Sequence, residues 1–320
     1  MVPSWRWLSI NGNGQNSLSF LPYFTKNYCL QASLLFQSEN ILGEGPLWHT
    51  ARQSFFWVDI DGKSFHEYKW PEGNVRSWQL DNRVSLIIEH ADGNIILGIQ
   101  GGLAYYNLRN STLTVLLEIE KEITNNRTND GACDAQGRIW IGTMDRQCST
   151  GKGSLYCIDA SLNIEKKLNG ISVSNGIVWP ADGSRMYYTD SPTQQVQSFL
   201  FDGETGSIDF EKIAIKVDKK YGSPDGMCMD EEGMLWIAQW GGFGVYRWDP
   251  IKGQMLDRID VPVPQVSSCA FGGHNRKQLF ITTARENMSA DDVAKFPLSG
   301  NVFIAEPGVK GIPVHKFGQK

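Results

Sequence analysis

Six positions along the chain repeat one chemical theme. Glu44 in LGEGPLW, Ser85 in RVSLI, Asn129 in RTNDG, Asn175 in SNGIVW, Asp225 in PDGMCM and Ser268 in VSSCAF each stand 11 to 13 residues before the centre of a short β-prone run. All six are polar, and four are Glu, Asn or Asp beside or one residue from a glycine. A single Asx-Gly pair is ordinarily a turn before a strand. Four such groups at one phase point instead to a shared ligand, because a turn needs no fixed register. The set offers two carboxylates, Glu44 and Asp225, and two amide oxygens, with no imidazole or thiolate. Hard oxygen donors of this kind suit Ca, Mg or Mn, and Zn or Fe(II) less strongly. The histidines His49, His66, His90, His274 and His315 are all off this phase, so a Ser-His-Asp triad is not supported. Cys133, Cys228 and Cys269 fall inside the strand runs and read as small apolar residues rather than nucleophiles. Arg127, two residues before Asn129, is expected to project from the loop at the same face and donate a fork of hydrogen bonds to substrate oxygens.

The elements that would hold these groups also repeat. RQSFFWVDIDG (52–62), DGNIILGIQGG (92–102), QGRIWIGTMD (136–145), DGSRMYYTDS (182–191), EGMLWIAQWGG (232–242) and RKQLFITTARE (276–286) each join a polar turn to a β-prone run. With Trp57, Ile96, Trp140, Tyr187, Trp236 and Phe280 taken as equivalent, the spacings are 39, 44, 47, 49 and 44 residues. Each run is followed by further strand-like pieces, such as SLYCIDA (154–160), which supplies four strands per repeat. Periods of this size without helical segments predict an all-β, six-bladed β-propeller. The first strand of each blade would line the central channel, so residues far apart in sequence would form one ring. Closure calls for an N-terminal strand in the last blade, and Ala32–Phe36 is the candidate. The second strands return to the same rim and bring Met144, Asp145, Asp190, Trp240 and Arg285 into range, with Trp240 either stacking on a sugar ring or wedging between blades.

Composition agrees with this frame. Of 320 residues, 41% are hydrophobic and 33 are glycine, with 11 Trp, 15 Phe and 10 Tyr, a balance that suits many short strands better than helices. Lys plus Arg is 30 against 35 for Asp plus Glu, so there is no basic excess to track nucleic acid. No run approaches the roughly 18 apolar residues of a membrane span. The six scattered cysteines lack a CxxC pair, which favours a reducing, cytoplasmic setting. Residues 1–31 fit no later pattern and are read as an N-terminal extension, leaving 32–320 as the propeller domain.

LGEGPLWH, NNRTNDGACDAQGRIWIGTMD, SNGIVWPADG, SPDGMCMDEEGMLWIAQWGGFG, CAFGG and LFITTARENMS together resemble the sugar-lactone lactonases of the gluconolactonase, senescence-marker-protein and luciferin-regenerating-enzyme family. The WGGFG and TTARENMS runs are most similar to bacterial aldonolactonases such as xylonolactonase and arabinonolactonase. The resemblance implies one catalytic divalent metal ion held by Glu44, Asn175 and Asp225, with Arg127 and Asn129 contacting substrate. Ca, Zn, Mn, Mg and Fe(II) are all described for the family. A further acidic contact of animal members falls on Gln147, a departure that bears on how the far hydroxyls of a sugar are held. The implied reaction is hydrolysis of a pentono- or hexonolactone to its aldonic acid by a monomer or small homo-oligomer, with Asp225 as general base. Two other readings share the same residues. One is a propeller braced by its ion and used as an interaction module; the other is a hydrolase of a different lactone, ester or phosphotriester.

Overall fold

Strand-forming runs punctuated by Gly, Asp and Asn turns close into six antiparallel blades of a β-propeller, described for residues 30–319 by a computed structural model. Most of the extension expected at 1–31 lies outside these residues. Blade one shows the common plan, running outwards from the axis as Gly43–His49, Ser54–Asp59, Ser64–Lys69 and Val75–Gln79. The other innermost strands are Val84–Glu89, Asn126–Cys133, Ser174–Val178, Ser223–Met229 and Val266–Gly272. Each packs against the innermost strands of both neighbouring blades, and Val266–Gly272 meets Gly43–His49 to complete the circle. Closure is made by the N-terminal strand Ser33–Phe36, which adds to blade six with Ser33 opposite Ile304 and Phe36 opposite Val302. Leu30–Gln31 runs parallel to Gln254–Asp260 as a fifth strand of blade five.

Burial follows position in the blade. VSLIIE at the axis of blade two is buried throughout, whereas its outermost strand Thr112–Glu118 is largely exposed. Six apolar clusters each lie between two neighbouring blades, so no blade can bury its faces alone. At the closing seam, Phe55 of blade one stacks on Phe280 of blade six with ring centroids 4.6 Å apart.

The turn grammar also has a visible cause. Asp134 in DAQGRIW accepts the backbone N–H groups of Gln136 and Arg138 at 3.0 and 3.1 Å and the Trp140 indole N–H at 2.9 Å. Asp230 in DEEGMLW repeats these bonds with Glu232 and Met234 at 3.0 Å and Trp236 at 2.9 Å. Gly137 and Gly233 supply the left-handed backbone (φ +75° and +79°) that these turns require. Among the described residues no helix is long and apolar enough to cross a membrane.

Candidate active site

The ring of polar residues is produced by a ring of β-bulges. Pairing between the innermost and second strands shifts register between Glu44 and Leu47, Val84 and Leu86, Thr128 and Gly131, Asn175 and Ile177, Pro224 and Met227, and Val266 and Ser268. One blade after another therefore breaks its ladder at the same level. A bulge bends the strand and re-aims its side chains, and here it turns them towards the axis. Glycine lets the neighbours come close. A Cβ on Gly226 would stand 2.0 Å from Ser268 Oγ, and one on Gly176 would stand 2.8 Å from the Asp225 carbonyl. Asn175 and Asp225 are thus carried by strands that touch.

Glu44, Asn129, Asn175 and Asp225 line one cavity of about 440 Å³, together with Arg127. All five are buried. Asn175 Nδ2 donates to Ser191 Oγ at 2.8 Å, while its Oδ1 accepts from Asn129 Nδ2 at 3.1 Å. Asn129 Nδ2 also donates to the Ser174 carbonyl at 2.7 Å, and its Oδ1 accepts a short bond from Arg127 Nη1. Arg127 is not on a loop, as the sequence suggested, but is the second residue of its strand, opposite Met144. Its Nη1 also donates to the Thr128 carbonyl at 3.1 Å, and among the described residues the rest of the guanidinium fork makes no hydrogen bond.

The two carboxylates are poorly served by the protein. Among the described residues Glu44 accepts a long bond from Gly45 N–H at 3.3 Å, and Asp225, met by the Gly226 N–H, has its Oδ1 buried with no partner. Burial, reinforced by the Asp130 carboxylate, pushes the Glu44 pKa up to about 8. Burial also lifts Asp225 well above the usual carboxylate range, with Glu44, Asp130 and Glu286 adding to it. Two buried carboxyls whose ionisation is opposed by burial and by neighbouring acids mark a place where a cation would be favourable. The oxygens of Glu44, Asn175 and Asp225 fit a hard divalent ion by donor type. Among the described residues no group of three or more His, Cys, Asp and Glu side chains is arranged to hold a metal; this set has only two acids, and its third member is an amide.

Other expected positions divide. Met144 and Trp240 line the cavity, and Trp240 also packs against the apolar cluster between blades one and two. Asp145, Asp190 and Arg285 are turned away by local donors and acceptors. Asp145 takes the Gln147 N–H at 2.8 Å, Asp190 takes those of Ser172 and Val173 at 3.1 and 2.8 Å, and Arg285 Nε donates to the Ser299 carbonyl at 2.7 Å. Gln147 is exposed and outside the wall. Ser85 spends its hydroxyl on Thr128 Oγ1 at 2.8 Å, and Ser268 faces a separate axial cavity of about 130 Å³. Two acids escaped the sequence reading. Glu286 lies in the wall of the larger cavity, just past the second strand of blade six at the end of the run RKQLFITTARE, a position the repeat gave no reason to single out. Asp130, beside Asn129 in the bulge, lines the axial cavity, and burial raises its pKa to about 6.

Comparison with known proteins adds to this geometry. The family description "SMP-30/Gluconolactonase/LRE-like region" matches residues 42–285. Bacillus subtilis YvrE, provisionally named a sugar lactone lactonase, is 32% identical over 277 residues, covering 87% of this chain and 95% of that protein. Regucalcin of Oryctolagus cuniculus is 33% identical over 281 residues, covering 86% and 94%. A crystal structure of an Agrobacterium tumefaciens regucalcin, described as a calcium-binding protein, superposes with a TM-score of 0.86 at 28% identity, covering 91% of this chain and 98% of that one.

Proposed function

Because the chain belongs to the SMP-30/gluconolactonase/LRE-like family, we propose that its bulge-ring cavity hydrolyses a sugar lactone to the open-chain aldonic acid, with a divalent cation held by Glu44, Asn175 and Asp225. One observation carries this reading: two buried carboxylates and an amide oxygen from three blades converge on one cavity, where among the described residues Asp225 Oδ1 has no partner and Glu44 has a long bond to Gly45 N–H. The cation, when bound, supplies Lewis acidity at the lactone carbonyl and acidifies a water.

The chain's own groups do the rest. Asp225 takes a proton from the attacking water as the new C–O bond forms at the carbonyl carbon. The ring C–O bond then breaks, and that proton ends on the departing ring oxygen, now a free hydroxyl. Arg127 offers its remaining N–H groups to the ester oxygens and orients the ring for attack. Asn129 is the second substrate contact, and its bonds to Arg127 and Asn175 couple the binding wall to the cation-holding floor. No histidine lines the cavity, and burial raises the Cys148 thiol, so neither a Ser-His pair nor a ready thiolate competes with the water route.

The test is a pH-stat panel of pentono- and hexonolactones run with chelator and with Ca, Mg, Mn, Zn or Fe(II) restored. Turnover that vanishes on chelation and returns with one ion supports the reading. Turnover indifferent to chelation removes the cation from it. Absence of turnover with every ion, combined with unfolding on chelation, would make the ion a brace and the protein a binding module.

A further inference from the structure

One acidic side chain in the cavity wall has no work in the hydrolytic scheme. Glu286 sits in a turn after the second strand of blade six, closed by Met288 N–H donating to the Arg285 carbonyl at 3.0 Å. Its own carbonyl accepts from the Gln265 side-chain amide at 2.9 Å. Immediately beyond, Ser289 caps the helix Ala290–Lys295 through a reciprocal pair of bonds with Asp292. The backbone is therefore fixed on both sides of Glu286.

The side chain is half-buried and turned into the wall. Its carboxylate lies within electrostatic reach of Arg127 and Cys148, and acts in turn on Asp225 and Glu44 deeper in the cavity. Among the described residues none donates a hydrogen bond to it. The contrast with Asp145 and Asp190 is direct, since backbone N–H groups occupy those rim carboxylates. A half-buried carboxylate without donors is costly, and a ligand rich in O–H groups relieves the cost.

We propose that Glu286 is a specificity-determining residue, its carboxylate accepting hydrogen bonds from ring hydroxyls of a polyhydroxylated lactone on the side away from the reacting carbonyl. The inference rests on the lactonase reading and sharpens it, because it separates sugar lactones from unsubstituted ring esters that present the same carbonyl. Selection by a half-buried charged acceptor follows from the hydrogen bonds that a ligand does or does not supply. A ligand lacking the matching hydroxyl leaves the acceptor stranded, whereas an apolar wall would discriminate weakly.

The experiment compares kcat/KM for a hydroxylated lactone and an unsubstituted lactone of the same ring size, in wild type, Glu286→Gln and Glu286→Ala. Wild type is expected to favour the hydroxylated substrate, and both substitutions should shrink that preference about 10- to 100-fold, chiefly through KM. Metal content, measured on the same samples, should not change. A preference that survives both substitutions overturns the inference. So does a parallel fall on both substrates, which would make Glu286 a positioning residue acting through Arg127. Equal efficiency of wild type on both lactones ends the specificity claim but leaves the lactonase reading standing, whereas no turnover of either ends both.

Discussion

Buried carboxylates occur at both ends of the innermost strands, and the protein treats them in opposite ways. At the exit end, Asp134 and Asp230 are fully buried and saturated, each by two backbone N–H groups, an indole N–H and an arginine. Nearly all of these donors come from within the same blade. At the entry end, Glu44 and Asp225 are almost as deeply buried, yet each is met by the N–H of its following glycine, Gly45 at 3.3 Å and Gly226, and among the described residues Asp225 Oδ1 has no partner. Their closest electrostatic company is acidic. One end uses carboxylates to build each blade. The other brings carboxylates from different blades together and leaves them unsatisfied, a cost that a folding-only role would not explain.

Substitution should invert between the two ends. Asp225→Asn and Glu44→Gln are expected to lower lactonase kcat/KM by about 10²- to 10⁴-fold, while the metal-free melting temperature holds or rises because a buried group that is costly to ionise has been removed. Full activity in either variant would erase the functional half of the contrast. Asp230→Asn should do the reverse, since Arg247 loses one of its two anions, Asp230 at 2.7 Å, and keeps only Glu232 at 2.6 Å, while the turn donors lose a charged acceptor. Stability should fall by about 1–3 kcal/mol with turnover per folded molecule unchanged, measured by denaturant titration and assay of the folded fraction.

The same contrast predicts how the metal-free protein responds to pH. Glu44 rises from 4.5 to about 8 on folding, chiefly through burial, and Asp225 moves in the same direction. A carboxyl whose pKa is higher in the folded state keeps a proton that the unfolded chain has already released. Its contribution is complete below the unfolded value and is lost as pH climbs through the folded one. Chelated protein should therefore lose stability between about pH 4.5 and pH 8, with a saturating divalent ion flattening the decline and Glu44→Gln removing part of it. Unfolding midpoints that fall equally in wild type and Glu44→Gln would show that these acids are not the source.

How much of this was legible in the sequence depended on periodicity. The blades could be counted because strand runs and polar turns recur at similar spacing, and in blades three and five the turns DAQGRIW and DEEGMLW rebuild the same bonds. Glu44, Asn129, Asn175 and Asp225 could be found because the bulge falls at one phase of every blade. Periodicity alone cannot say which way a side chain at the rim is drawn. Asp145 and Asp190 stand at the correct ends of their strands, but nearby backbone N–H groups capture them. Glu286 ends the run RKQLFITTARE, but it enters the long connection between Thr283 and Val302 of blade six, where the short turns of the other blades offer no matching acid to compare. Asp130 was hidden by adjacency, because a bulge sends consecutive residues to different cavities.

Ser85 gives the smallest and most pointed test of the comparison, since it occupies the bulge of blade two just as Asn129 occupies that of blade three. Position alone would include it in the functional ring. Its hydroxyl, however, faces Thr128 Oγ1 at 2.8 Å, and Thr128 in turn donates to the Ile99 carbonyl at 3.0 Å. The pair ties blade two to blade three behind the cavity wall. Ser85→Ala removes one buried hydrogen bond and leaves Thr128 with its carbonyl acceptor, so the cost should be about 0.5–1.5 kcal/mol. Lactonase kcat/KM should stay at the wild-type value, measured beside the unfolding free energy. A tenfold loss of activity without that loss of stability would mean that bulge position, rather than the unsatisfied oxygens of particular side chains, defines the site.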